Sequence, residues 1–177
     1  MRASTDHPGN PAEETDFRID TATPEDIPQL TTFLKALFTQ ERDFVPDGEK
    51  QARGLQFIIE RPQQGRIFVI RNRGELIGMV NLLFTISTAE GGLAVILEDM
   101  FIRSEFRGLG LGSWLLRHAI EFARREGYAR ITLLTDAGEN PAYRFYLRHG
   151  FAASHMVPMR LHLNTMPISQ PSVESTR

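Results

Sequence analysis

Residues 97–116, LEDMFIRSEFRGLGLGSWLL, constrain this chain more than any other stretch. An apolar strand carrying an acidic pair, Glu98 and Asp99, runs into a turn with glycine at alternate positions, Gly108, Gly110 and Gly112. An amphipathic helix then starts, with Leu111, Leu115, Ala119, Phe122 and Ala123 at helical spacing. After Gly127 a short apolar strand, Ile131 to Thr135, follows, and strand, helix, strand in that order implies a parallel crossover. The three glycines leave the backbone bare where the helix begins, so unpaired N–H groups and the positive end of the helix dipole face outward together. That is a socket for a phosphate or pyrophosphate, with two carboxylates on the strand that feeds it.

Spacing narrows the ligand. A dinucleotide fingerprint needs G-x-G-x-x-G, but the sixth position counted from Gly108 is Ser113 and from Gly110 is Leu115. A P-loop needs Gly-Lys-Ser/Thr at its end, which the chain lacks. What the residues do spell is Arg107-x-x-Gly110-x-Gly112 after a hydrophobic strand with an acidic pair.

The rest of the chain is the size of one domain: 177 residues with 41% hydrophobic content can bury a single core. Residues 1–15 and 164–177 are polar and read as disordered, which leaves 16–163 as the folded unit. No apolar run approaches the roughly 18 residues of a membrane helix, and the start has no signal-peptide core, so a cytoplasmic protein without a membrane partner is expected. There is no cysteine, hence no disulfide, thiolate nucleophile or Cys-ligated metal. The five histidines form no i,i+4 pair, so no metal is expected. A net charge of −2 argues against a nucleic-acid partner. The charge is uneven, with twelve acidic and six basic side chains in residues 1–60 against six and ten in residues 101–177. A basic rear half suits a polyanionic cofactor, and an acidic front half a cationic acceptor.

Phe17 to Asp20 alternates as a first strand. Thr23-Pro24-Glu25-Asp26 caps a helix whose stripe is Ile27, Leu30, Phe33, Leu34, Leu37 and Phe38. A loop from Gln40 to Gly48, with Glu41, Asp43, Phe44 and Asp47, either lines an acceptor site or is a solvated loop over a small apolar plug, and a second helix ends at Pro62. Apolar runs at 66–70 and 76–85, separated by Asn72-Arg73-Gly74-Glu75, form a hairpin, and the strand from Leu93 to Arg103 completes an antiparallel meander. Asn140-Pro141 opens a last helix that stops at Gly150, after which Phe151 and residues 156–163 read as a final hairpin.

Two motifs in this order resemble the GNAT superfamily of acyl-CoA-dependent N-acyltransferases. The glycine turn is similar to its acetyl-CoA signature. The run Asn140-Pro-Ala-Tyr143-Arg-Phe145-Tyr146-Leu-Arg-His-Gly150-Phe151 resembles the element in which an asparagine opens a helix and a tyrosine stands just before Gly-Phe. The resemblance covers residues 16–163. It implies an α/β (α+β) GNAT fold, with a mixed, mostly antiparallel central sheet splayed between the fourth and fifth strands and flanked by helices. Leu97-Glu98-Asp99 is especially similar to diamine N-acetyltransferases within the superfamily. Dimerisation is common there, and nothing in this chain identifies an interface.

The resemblance also implies a set of roles. Backbone amides from Arg107 through Gly108, Leu109, Gly110, Leu111, Gly112 and Ser113 cradle the pyrophosphate of acetyl-CoA, with Arg107 adding charge. Met100 and Ile102 offer backbone groups to the pantetheine arm as a strand pairs with an added strand, and Asn140 contacts that arm, with Tyr143 beside it on the same helix. An N–H near Met100 or Phe101 meets the tetrahedral oxyanion. An alkylammonium of pKa ~10.4 must lose a proton before it attacks, and the leaving thiolate, near ~8.5, gains from receiving one. Tyr146 matches the general acid, Glu98 is the base directly or through water, and Asp99 helps to hold the ammonium. Strand alternation sets the two carboxylates on opposite faces unless a bulge intervenes. The expected activity is acetyl transfer from acetyl-CoA to a small amine, releasing CoA. A protein acetyltransferase and a non-catalytic acyl-CoA-binding module remain open alternatives.

Overall fold

Thr23 starts the first helical layer: its backbone N–H donates to the Asp26 carboxylate at 2.8 Å, and Pro24 sits at the first position of a 3-10 turn that leads into α1 (Ile27–Gln40). Arg71 anchors this turn to the sheet with two hydrogen bonds to Asp26, at 2.9 and 2.7 Å. Burial raises the Asp26 carboxyl, but these bonds and the Thr23 N–H outweigh it and hold the group below its ordinary value. The computed structural model describes residues 16–40, 45–136, 138 and 140–163. The tails expected to be disordered, 1–15 and 164–177, and residues 41–44 of the proposed acceptor loop lie outside the described residues.

β1 (Phe17–Thr21) precedes α1, and α2 (Gly48–Glu60) follows it, capped by Asp47, which accepts from the Lys50 N–H. The meander is β2 (Gly65–Asn72), β3 (Glu75–Ser87) and β4 (Gly92–Ile102). Arg73 and Gly74, at φ +50° and +89°, form the two-residue turn between β2 and β3, whose twist suits a tight hairpin. Then come α3 (Leu111–Arg125), β5 (Arg130–Leu133) and α4 (Pro141–Arg148).

The sheet order is β1-β2-β3-β4-β5, antiparallel except for the parallel pair β4 and β5. Helices cover both faces. On one side α3 buries Leu111, Leu115, Leu116, Ala119 and Phe122 against Phe68, Val80, Leu82, Val95 and Leu97. On the other, α1 and α2 bury Leu30, Phe33, Leu34 and Leu55 against Ile67, Val69, Met79 and Phe101. The splay expected between the fourth and fifth strands is present: β5 pairs with β4 only from Ala94 to Leu97, and β4 runs on to Ile102 with that edge open.

The final hairpin does not form. Residues 151–163 carry no strand, and Met156, Val157, Met159, Leu161 and Leu163 are largely exposed. Their alternation imitates a strand, but Pro158 removes a donor from any ladder and no neighbouring strand lies alongside among the described residues.

Candidate active site

The chemistry-bearing residues gather where β4 leaves β5. Up to Leu97 the strand alternates normally. Met79 then pairs with Phe101 while Asn81 pairs with Glu98, so that Val80 alone opposes Asp99 and Met100. Two residues against one make a β-bulge, and Asp99 adopts φ +48° there. The bulge settles how the two carboxylates lie. Asn81 alternates with Val80 and Leu82, which belong to the α3 side, so it faces α1 and α2, and its cross-strand partner Glu98 shares that side. Asp99 is on the same side, because its Oδ2 accepts a hydrogen bond of 2.6 Å from Asn81 Nδ2. Phe101 follows, stacked on Phe33 of α1 with ring centres 5.0 Å apart. Met100 and Ile102 point the other way, into the α3 cluster.

On that opposite side stands Tyr146, whose hydroxyl lies 3.8 Å from Met100 Sδ. Burial pushes its phenol up to about 12, so it stays protonated at any physiological pH and acts as a donor. The α4 helix that carries it is fixed by Asn140. That side chain accepts from the Tyr143 N–H at 2.8 Å and donates to the Asp136 carbonyl at 3.0 Å. Both ends of the Asn140 amide are thereby engaged, the oxygen as the helix cap and the nitrogen on the preceding loop. Tyr143 lies half-buried on the first turn.

At the mouth of the gap, Gly110 sits at φ +79° as the N-terminal cap of α3, with no side chain satisfying the first turn. The amides of residues 108–113 have no acceptor among the described residues. The Arg107 N–H is taken by the Ser104 carbonyl at 3.2 Å, its Nε donates to the Ile102 carbonyl at 2.9 Å, and its guanidinium lies 5.7 Å from the Phe101 ring centre. The unengaged backbone amides at this turn are thus those of Gly108 to Ser113, with Arg107 beside them at the end of β4. Arg103 donates its backbone N–H to Ile77 of β3, so by alternation Ile102 and Met100 turn their backbone groups to the open edge. A Cβ at Gly112 would stand in ordinary van der Waals contact with Ile102, Met100 and Phe145, at 3.6, 3.8 and 3.9 Å. Bare amides at a helix start and a free strand edge fit an acyl-CoA.

One residue outside the sequence reading belongs to this region. Asn81 is buried at 2% exposure on the central strand and leaves its side-chain carbonyl oxygen without a hydrogen bond among the described residues. The available signal for Asn81 was a polar residue inside the apolar run 76–84.

The fold has counterparts among solved structures. It superposes on a solved structure from Clostridium difficile 630, described as a possible acetyltransferase, with a TM-score of 0.75, covering 83% of this chain and 97% of that one at 13% identity. The family model for GNAT acetyltransferases matches residues 29–151, and the chain belongs to that family. It is 29% identical over 134 residues to the aminoalkylphosphonate N-acetyltransferase of Salmonella typhimurium, covering 76% of this chain and 84% of the relative. It is 32% identical over 99 residues to the glucosamine 6-phosphate N-acetyltransferase of Trypanosoma brucei brucei, covering 55% of this chain and 65% of the relative. No helix among the described residues is long and apolar enough to cross a membrane.

Proposed function

We propose that this protein is an acetyl-CoA-dependent N-acetyltransferase that acylates the primary amine of a small molecule by direct transfer within a ternary complex. The observation that carries the reading is the bulge in β4. It sets Glu98 and Asp99 together on the α1 and α2 side of the open strand edge, while Tyr146 stands on the α4 side. Two carboxylates on one side suit an acceptor that arrives as an ammonium. When bound, acetyl-CoA supplies an acetyl thioester for the amine to attack, forming the amide and releasing the CoA thiol.

The chain's own residues divide the remaining work. Amides of residues 108–113 bind the pyrophosphate, and the edge of β4 at Met100 orients the pantetheine arm. Asp99 holds the ammonium. Glu98, which is exposed, takes its proton through water. Tyr146 donates toward the leaving sulfur. The chain has no cysteine to carry the acetyl group, which supports direct transfer.

The relatives' names set the acceptor panel: 2-aminoethylphosphonate and glucosamine 6-phosphate, with putrescine for the diamine resemblance and a lysine peptide for the protein-acetyltransferase alternative. Release of CoA thiol with a small amine and not with the peptide supports the proposal. No release with any of them refutes it. Glu98→Gln should lower kcat with the acetyl-CoA KM unchanged, and turnover identical to wild type removes Glu98 as the base.

A further inference from the structure

We infer that Asn81 is a positioning residue of the acceptor site: its amide fixes the Asp99 carboxylate on the α1 and α2 side of the bulge, where it binds the ammonium. The inference rests on the N-acetyltransferase reading above and adds a residue to it.

Asn81 lies in the middle strand of five and is buried at 2% exposure, between Ile67 of β2 and Glu98 of β4 in register. The surrounding positions on that face, Ile67, Met79 and Phe101, are apolar. Leucine would suit such a place better, because the amide there leaves Oδ1 buried with no hydrogen bond among the described residues. Packing does not account for that burden. The other end of the amide does: Nδ2 meets Asp99 Oδ2 at 2.6 Å, a short bond to a charged group. The reverse orientation would set carbonyl oxygen against carboxylate, so the amide has only one workable arrangement. Asp99 stands at φ +48° in the bulge, where the regular β alternation does not set its direction, and the Asn81 bond helps to set it. Without Asn81 that bond is lost, and the carboxylate is held less firmly at the angle that meets the ammonium.

The test is amine and acetyl-CoA saturation, with melting temperatures, for wild type, Asn81→Leu, Asn81→Ser, Asp99→Asn and the Asn81→Leu/Asp99→Asn double variant. The acceptor is whichever amine of the panel the wild type turns over fastest. In Asn81→Leu the amine KM should rise roughly tenfold with the acetyl-CoA KM unchanged, because only binding through Asp99 is lost. Its melting temperature should equal or exceed that of wild type, since an orphaned carbonyl has been removed from the core. Asp99→Asn should show a similar rise, and the double variant no more than the larger single effect, as expected for two residues acting as one unit. An unchanged amine KM, additive effects in the double variant, or a joint rise of both KM values with a falling melting temperature overturns the assignment. If the leucine variant does not fold, Asn81→Ser is judged by the same split. These failures occur in an enzyme whose wild type is active, whereas a wild type that acetylates no amine overturns the function itself and the assignment with it.

Discussion

The two sides of β4 hold their parts of the site by different means. Toward α3 and α4 most of the proposed working groups are backbone, amides at a helix start and the edge of a strand, with Tyr146 the one side chain given a chemical role there. Toward α1 and α2 they are side chains, Glu98, Asp99 and Asn81, brought together by a slip of register between strands whose contacting residues are eighteen positions apart. A backbone site tolerates neighbouring side-chain changes but not an added Cβ in the wrong place. A side-chain site can be retuned one residue at a time. On the proposed function, donor binding on one side and acceptor choice on the other can therefore vary independently, although they meet across a single strand.

The largest test of this contrast is Gly110→Asp. It forces a side chain into φ +79°, at about 1–2 kcal/mol of strain, and aims a negative charge at the amide cradle. Titration calorimetry should find acetyl-CoA binding lost while circular dichroism reports a folded protein; normal affinity would remove the turn as the donor site. Arg71→Leu strikes the scaffold of the other side. It leaves the buried Asp26 carboxylate without its cation and should cost ~3–5 kcal/mol in urea unfolding, with acetyl-CoA affinity preserved below the transition. If donor affinity fell too, the two sides would not be independent. Tyr146→Phe keeps the ring and removes the donor, so kcat should fall roughly tenfold to a hundredfold with little change in acetyl-CoA affinity. Unaltered turnover would end the assignment of Tyr146 as the acid.

The smallest effect concerns His118, whose ring meets Phe68 edge-on at 4.6 Å in the α3 cluster. Burial, aided by the Arg125 charge, lowers its pKa. The neutral ring is the form the fold prefers, so its contribution is present above the unfolded value of about 6.5 and is lost as pH falls through the lower folded value. Melting temperatures of His118→Phe should fall less than wild type between pH 7 and 5, and parallel curves would show that the ring contributes nothing.

The donor side was legible in the sequence because its signals are local. Glycine spacing, Pro24 and Pro141 at helix starts, and the Arg73-Gly74 turn each act within a few residues, and the structure contains the expected elements at those places. The acceptor side was not. Nothing in Leu97-Glu98-Asp99 says that Val80 will face two residues, because a bulge is a property of the β3–β4 pairing. Asp99 adopts a positive φ without a glycine to announce it. Asn81 was visible as a polar residue in an apolar run, but its partner became known only with the register. Residues 156–163 misled for the converse reason: alternation satisfies the pattern of a strand, whereas a ladder also requires a neighbour.

The early parting of β4 and β5 has a consequence for how the protein responds to its surroundings. Past Leu97 the strand lacks half its ladder, so this edge should lie at the low end of local opening free energies, with hydrogen exchange at Met100 faster than in the fully paired centre of β3. A ligand that lies along that edge protects those amides and adds RT ln(1 + [L]/Kd) to the stability of the whole fold. The molecule's resistance to heat and proteolysis thereby becomes a gauge of how much of such a ligand surrounds it.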